Sequence, residues 1–229
     1  MARSRAETRQ TMVDALQGLG LGTHPRILDG GMGAGCLGAE IRAAFPGAEL
    51  TGTDLWLRFL CDPVCRETEG WPSLSLYDTL TGGRDGDLLR FLTRAKVGDY
   101  DAIVMGDVLE HMRPETALEV LRRAQSIATR GVVVNIPIAD FPQREVWDNE
   151  HEVHQWWKPR EWWEAEQAAT YAGGGNGVGT LVWKTPNYTD PLLSVVIPTF
   201  NRKRQLDLCI RSLLRTEAPP FRFEIIVVD

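Results

Sequence analysis

The chain has 229 residues, enough for one full α/β domain and a smaller piece, and 43% of them are apolar, enough for a sizeable core. A formal net charge of −6 argues against a nucleic-acid-binding protein, whose footprint is a basic patch. No run of about 18 apolar residues marks a membrane span, and the charged N-terminus MARSRAETRQ has no signal-peptide core.

The pattern in chain order is one of alternating helices and strands. Thr11–Leu19 reads as a short amphipathic helix that ends at the glycines between Gly18 and Gly22. Arg26–Asp29 is a buried strand that stops at glycines, and Leu37–Phe45 has helical apolar spacing before Pro46-Gly47. Glu49–Thr53 is a second strand, ending at Asp54. Ser73–Tyr77 alternates and reads as a third strand, with Asp78 at its end. Asp87 then caps a helix through Leu88 and Leu92. Ala102–Met105 is a fourth strand. Pro114 opens a helix through Leu118, Leu121, Ala124 and Ile127, with Gly131 as its C-cap, and Val132–Ile136 is a fifth strand.

Strands alternating with helices predict an α/β fold with a mostly parallel sheet. Right-handed crossovers place a ligand at the carboxyl ends of the strands. Asp29, Asp54, Asp78 and Asp107 are all expected there.

After Ile138 the texture changes. Trp147, Trp156, Trp157, Trp162 and Trp163 crowd residues 141–165, together with His151 and His154. This cluster is expected to cap the sheet edge, with stacking on a planar or sugar substrate as the alternative. Lys158-Pro159 opens another helix. Two strands, Ala168–Tyr171 and Thr180–Lys184, are expected to flank a glycine-rich turn and close the sheet as an antiparallel edge. Residues 186–191 read as a linker. From 192 the chain starts a β-α-β pattern again.

The stretch Asp29-Gly30-Gly31-Met32-Gly33-Ala34-Gly35 is rich in residues that tolerate positive φ and allow a ligand close to the backbone. The helix after it starts with free N–H groups. Asp54, 19 residues beyond Gly35, can accept both hydroxyls of a ribose. Gly33 to Gly38 also satisfies the dinucleotide pattern G-x-G-x-x-G. Asp29 separates the two readings: its carboxylate repels a pyrophosphate and attracts a cationic amino-acid cofactor.

ILDGGMGAG, followed by LTGTDL and then YDAIVMGDVLEHM, resembles class I S-adenosylmethionine-dependent methyltransferases over roughly residues 10–185. The resemblance implies a Rossmann-like, doubly wound, seven-stranded sheet within a domain of residues 1–185, and S-adenosylmethionine as cofactor. It implies that Asp29, Gly31, Gly33 and Gly35 hold the amino-acid end of the cofactor. It also implies that Asp54 binds the ribose, that Asp78 faces the adenine, and that Asp107 to His111 line the methyl-transfer pocket.

Methyl transfer from an activated donor needs mainly a positioned nucleophile, with a base where the nucleophile carries a proton. His111, His151, His154 and Glu110 are the candidates. On a helix, His151 and His154 would share a face. A metal site is not expected: Cys61 and Cys65 lack a second pair, and the two histidines would need Glu150 or Glu152 as a third ligand. The few scattered cysteines suit reduced thiols in a cytoplasmic protein.

SVVIPTFNR (194–202), a helix, and FEIIVVD (223–229) resemble the start of a family 2 glycosyltransferase. That resemblance implies that the 198–202 loop and Asp229 border a nucleotide-sugar site. Residues 192–229 are too few for an independent domain, and the later metal-binding and catalytic parts of that family are absent from them, so no glycosyl transfer is expected from these residues. Together these readings predict a methyltransferase acting on a small molecule or a carbohydrate. The alternatives are an NAD(P)-dependent oxidoreductase and a non-catalytic scaffold for a glycosyltransferase.

Overall fold

The computed structural model describes residues 6–56, 72–145, 149–185, 193–199, 202–215 and 223–228. Trp147, Cys61, Cys65, the 186–191 linker, Phe200, Asn201 and Asp229 lie outside them. The chain divides into two compact units, residues 1–185 and 186–229.

In the first unit the described elements are α1 (Ala6–Gln17), β1 (Arg26–Gly30), α2 (Cys36–Ala44), β2 (Glu49–Asp54), β3 (Thr79–Gly82), α3 (Leu88–Arg94), β4 (Ala102–Gly106) and α4 (Pro114–Ile127). They continue with β5 (Gly131–Pro137), α5 (Arg160–Glu166), β6 (Thr170–Gly175) and β7 (Val178–Lys184). The strands form one seven-stranded sheet in the order β3-β2-β1-β4-β5-β7-β6. The first five run parallel, while β7 is antiparallel to β5 and β6 antiparallel to β7. This is the expected α/β architecture with its antiparallel edge.

The central strands are buried because both faces are covered. Every residue of β5 is buried. On one face Met12, Leu16, Leu37 and Ile41 pack over Ile27, Leu50 and Val104. On the other, Leu88, Leu92, Leu121 and Trp163 pack over Leu28, Ile103 and Val134. Trp163 is fully buried, with Trp156, Trp162 and Trp183 around it at ring-centroid distances of 5.0–6.2 Å. The tryptophans therefore extend the core, and Trp157 remains exposed.

Three local expectations are corrected. Ser73–Tyr77 is not a strand: Leu74–Leu76 is a 3-10 turn, and the Ser73 hydroxyl accepts a hydrogen bond from the Ser75 N–H. The third strand lies just after it, so Asp78 precedes β3 rather than ending it. The cap of α4 is Ala128, and Gly131 opens β5. Gly173–Gly175 belong to β6 itself, and the hairpin turn is Asn176-Gly177, both at positive φ as a tight two-residue turn demands.

The second unit holds β8 (Leu193–Pro198), α6 (Lys203–Arg215) and β9 (Phe223–Val228), with β8 and β9 paired in parallel. Val196 and Val228 are each more than half exposed, as expected for two strands and one helix with too little material to cover them.

Candidate active site

The parallel strands deliver their carboxyl ends to one edge of the sheet, where the chain must turn away. At the end of β1 it does so through Gly31, Gly33 and Gly35, with φ of 73°, 53° and 83°. These values favour glycine. At Gly31 there is also no room, because a Cβ there would stand 2.5 Å from Val108 Cγ2. Gly35 precedes α2, and no side chain caps that helix.

Two carboxylates flank the loop. Asp29 is buried, and its Oδ2 accepts a hydrogen bond from the Tyr77 hydroxyl at 2.5 Å. Burial pushes the Asp29 carboxyl up to about 7; the Tyr77 bond opposes that rise and the Asp54 charge adds to it. Asp54 accepts from the Gly33 N–H through Oδ2 and from the Trp56 N–H through Oδ1, both at 2.8 Å. Burial raises it to about 6, against these two bonds. Each oxygen keeps a further lone pair for a ligand hydroxyl.

Tyr77 escaped the sequence reading. It packs against the end of the loop, α2 and β2: a Cβ on Gly35 would meet its ring at 3.5 Å, one on Gly38 its hydroxyl at 2.1 Å, and one on Gly52 its ring at 2.9 Å. The residues that looked like a third strand thus supply the buttress beneath the loop.

At the end of β4, Asp107 takes a left-handed φ of 56°. Its carboxylate accepts from Asn135 Nδ2, and its N–H donates to the Asn135 carbonyl. Thr180 in turn donates to Asn135 Oδ1. Asn135 is the lone polar side chain in the apolar run of β5, and that break in the pattern was the available signal.

Val108 leads into the 3-10 turn Leu109–His111, which residues 155–156 clasp from outside. Gln155 N–H donates to the Glu110 carbonyl, Gln155 Nε2 to the His111 carbonyl and Trp156 Nε1 to the Leu109 carbonyl. Glu110 is buried, and neither carboxylate oxygen has a hydrogen-bond partner. Burial, then the charge of Asp107, raise its carboxyl well above the ordinary range. The rings of His111 and His154 meet edge to face at 4.9 Å. Burial, and then His154, lower His111 to about 4, and burial also lowers His154. Both imidazoles are neutral at neutral pH.

Two cavities open along this edge. One, of about 190 Å³, is lined by Asp29, Gly31, Gly33, Asp54, Asp107, His111 and His151 among others. The second, of about 170 Å³, is lined by Asp107, Glu110, His111, Asn135, His154 and, from α1, Glu7, Thr8 and Thr11. Asp107 and His111 line both.

Most expected site residues therefore come together at one edge, with two corrections. Asp78 lies at the opposite end of β3, half-exposed; it accepts from the Leu50 N–H and pairs with Arg42 at 2.7 Å. These two partners lower its pKa. Asp87 lines the first cavity where Asp78 was expected, and it caps α3 by accepting from the Arg90 N–H. His151 and His154 do not act as a pair. His151 sits in the 3-10 turn Glu150–Glu152 and faces the first cavity, whereas His154 lies beyond it and faces the second.

Comparison with known proteins gives the following. Magnesium protoporphyrin IX methyltransferase from Synechocystis PCC 6803, with bound SAH, matches at TM-score 0.53 and 16% identity, over 78% of this chain and 82% of that one. The 1,6-didemethyltoxoflavin-N1-methyltransferase of Burkholderia thailandensis matches at TM-score 0.52 and 15% identity, over 79% of each chain. Human N-acetylserotonin methyltransferase matches at TM-score 0.50 and 14% identity, over 76% of this chain but half of its own length. No curated protein sequence matches the chain significantly. Residues 194–229 match the family model "Glycosyl transferase family 2". The first unit thus has the class I S-adenosylmethionine-dependent methyltransferase fold, and the second carries a short match to a different transferase family.

Proposed function

We propose that the first unit is a methyltransferase that moves a methyl group from S-adenosylmethionine to a small-molecule or carbohydrate acceptor. The carrying observation is that two cavities meet at Asp107 and His111, at the carboxyl edge of the sheet. The first fits the cofactor. Its glycines leave no space for side chains at Gly31, and two buried carboxylates face a ligand with a cationic amino-acid end and a ribose. S-adenosylmethionine supplies, when bound, a methyl group on a sulfonium centre that needs no further activation.

The residues of this chain then bind and orient. Asp29 and the loop at Gly31 and Gly33 take the amino-acid end, Asp54 the ribose, and Asp87 the place first assigned to Asp78. The second cavity takes the acceptor. Of the four catalytic candidates, His111 alone lines both cavities; Glu110 and His154 face the acceptor side and His151 the cofactor side. Holding the two reactants in one geometry accounts for most of what such an enzyme must contribute. The match of residues 194–229 to a sugar-transferring family favours a carbohydrate acceptor by association only. Among the described residues no helix is long and apolar enough to cross a membrane. A cytoplasmic location completes the reading, in line with the four scattered cysteines.

The test is thermal shift and calorimetry of the whole chain with S-adenosylhomocysteine, NADH and a nucleotide sugar in parallel. A ligand of the native state raises the melting temperature. Stabilisation by S-adenosylhomocysteine alone is expected; stabilisation by NADH alone supports the oxidoreductase alternative and overturns the proposal.

A further inference from the structure

The second cavity holds a group that the methyl-transfer reading leaves unexplained. Glu110 is 1% exposed, and both of its carboxylate oxygens lack a hydrogen-bond partner. A buried carboxylate without a partner is costly, and buried charges are normally paired or metal-bound. What surrounds it is a pair of histidines. The Nε2 of His154 is 3.9 Å from Glu110 Oε1, and one ligand atom from each of Glu110, His111 and His154 lies within 4.8 Å of the other two.

The histidines are also oriented from behind. His154 Nδ1 is 2.6 Å from the Phe141 carbonyl and His111 Nδ1 is 3.4 Å from the Val153 carbonyl. A carbonyl only accepts, so the short contact puts the proton of His154 on Nδ1 and leaves its Nε2 lone pair, and the longer contact favours the same tautomer of His111. A backbone carbonyl that fixes the tautomer in this way is the usual support for a metal-binding histidine. The turn bearing Glu110 and His111 is itself held by Gln155 and Trp156.

We propose that Glu110, His111 and His154 bind a divalent transition-metal cation. Two imidazoles and one carboxylate suit zinc, cobalt, iron or manganese rather than calcium or magnesium, which prefer all-oxygen sets. Bonds of about 2.0–2.2 Å place ligands about 3 Å apart, so binding draws the three groups inward by about 1 Å. The set differs from the one considered on sequence grounds: His111 and Glu110 take the places expected of His151 and Glu150 or Glu152. Three protein ligands leave coordination positions open towards the acceptor cavity. If the methyltransferase reading holds, those positions take an acceptor hydroxyl beside His111, where the two cavities meet. That oxygen loses its proton to solvent and attacks the methyl carbon. The carbon–sulfur bond breaks, and the electron pair stays on sulfur.

The experiment treats the whole chain with a chelator and titrates it with cobalt(II), zinc(II) and magnesium(II), by visible absorption for cobalt and by calorimetry for all three. S-adenosylhomocysteine binding is measured on the same samples, so failure of the metal site and failure of the cofactor site are read separately. One tightly bound cobalt or zinc per chain is expected, with magnesium far weaker. Glu110→Gln and His154→Ala are each expected to weaken binding about 100-fold or more, since even loss of an outer-shell partner costs 10–100-fold. Glu110→Gln keeps the shape and removes the carboxylate ligand, so it should melt close to the wild type without metal and lose the metal-induced rise. No stoichiometric binding, or binding unchanged in both variants, overturns the proposal.

Discussion

Both halves of the site bury carboxylates, but they treat them differently. In the glycine-loop half, Asp29 is held by Tyr77, and Asp54 by the N–H groups of Gly33 and Trp56. In the half beyond β4, Asp107 is held by Asn135 while Glu110 stands without a partner between two histidines. A tied carboxylate is rigid before its ligand arrives and presents a spare lone pair. An untied, buried one is held towards its neutral form until something cationic joins it. The first arrangement therefore suits an organic cofactor gripped at several points, and the second a compact cation.

The comparison is broken most readily through pH. Burial pushes the Asp29 carboxyl of the folded protein up to about 7, above the ordinary aspartate value of 3.8. Between these values the folded chain holds a proton that the unfolded chain has released, so stability falls as pH rises from about 4 to about 7. The loss is of the order of several kcal/mol. A cationic ligand beside Asp29 favours the ionised form, so S-adenosylhomocysteine should bind more tightly as pH rises through 7. Melting curves from pH 4 to 8 check the first point and calorimetry the second; Asp29→Asn should reduce both, leaving the smaller fall below about pH 6 that Asp54 contributes.

A steric test comes next. Gly31→Ala forces a Cβ onto Val108 at a left-handed φ, and should cost about 2–4 kcal/mol in denaturant unfolding together with measurable cofactor affinity. Asp54→Ala removes a charged acceptor, worth about 1.5–3 kcal/mol per hydrogen bond, or roughly 10–100-fold in S-adenosylhomocysteine affinity. Unchanged affinity would refute the ribose assignment.

Tyr77→Phe leaves Asp29 buried without its donor and should destabilise the protein by about 1–3 kcal/mol, with the pH-dependent loss moved to higher pH. The smallest effect belongs to Asp78→Ala. Its surface pair with Arg42 and its bond to Leu50 predict a cost of about 1 kcal/mol and no change in cofactor affinity. A large loss of affinity would restore the original role of Asp78.

The residues that were misplaced share a cause. β3 is an edge strand whose first two residues are exposed, so burial left no apolar pattern in it, while SLSLY alternates as a strand does and folds as a turn around Ser73. Asp78 went to the wrong end of the sheet with that shift. Gly173–Gly175 read as a turn because nothing in three glycines shows that β7 will pair with them.

Local chemistry was sufficient for the central strands, the helices and the glycine loop with Asp29 and Asp54. Apolar periodicity and positive-φ glycines act over a few residues and are visible along the chain. Which histidine meets which carboxylate was not visible there. His154 lies 43 positions beyond His111, and it reaches Glu110 because residues 155–156 dock on the turn after β4. Contacts between distant segments come from packing, and packing alone placed Tyr77 under the loop, Asn135 behind Asp107 and the two histidines around Glu110.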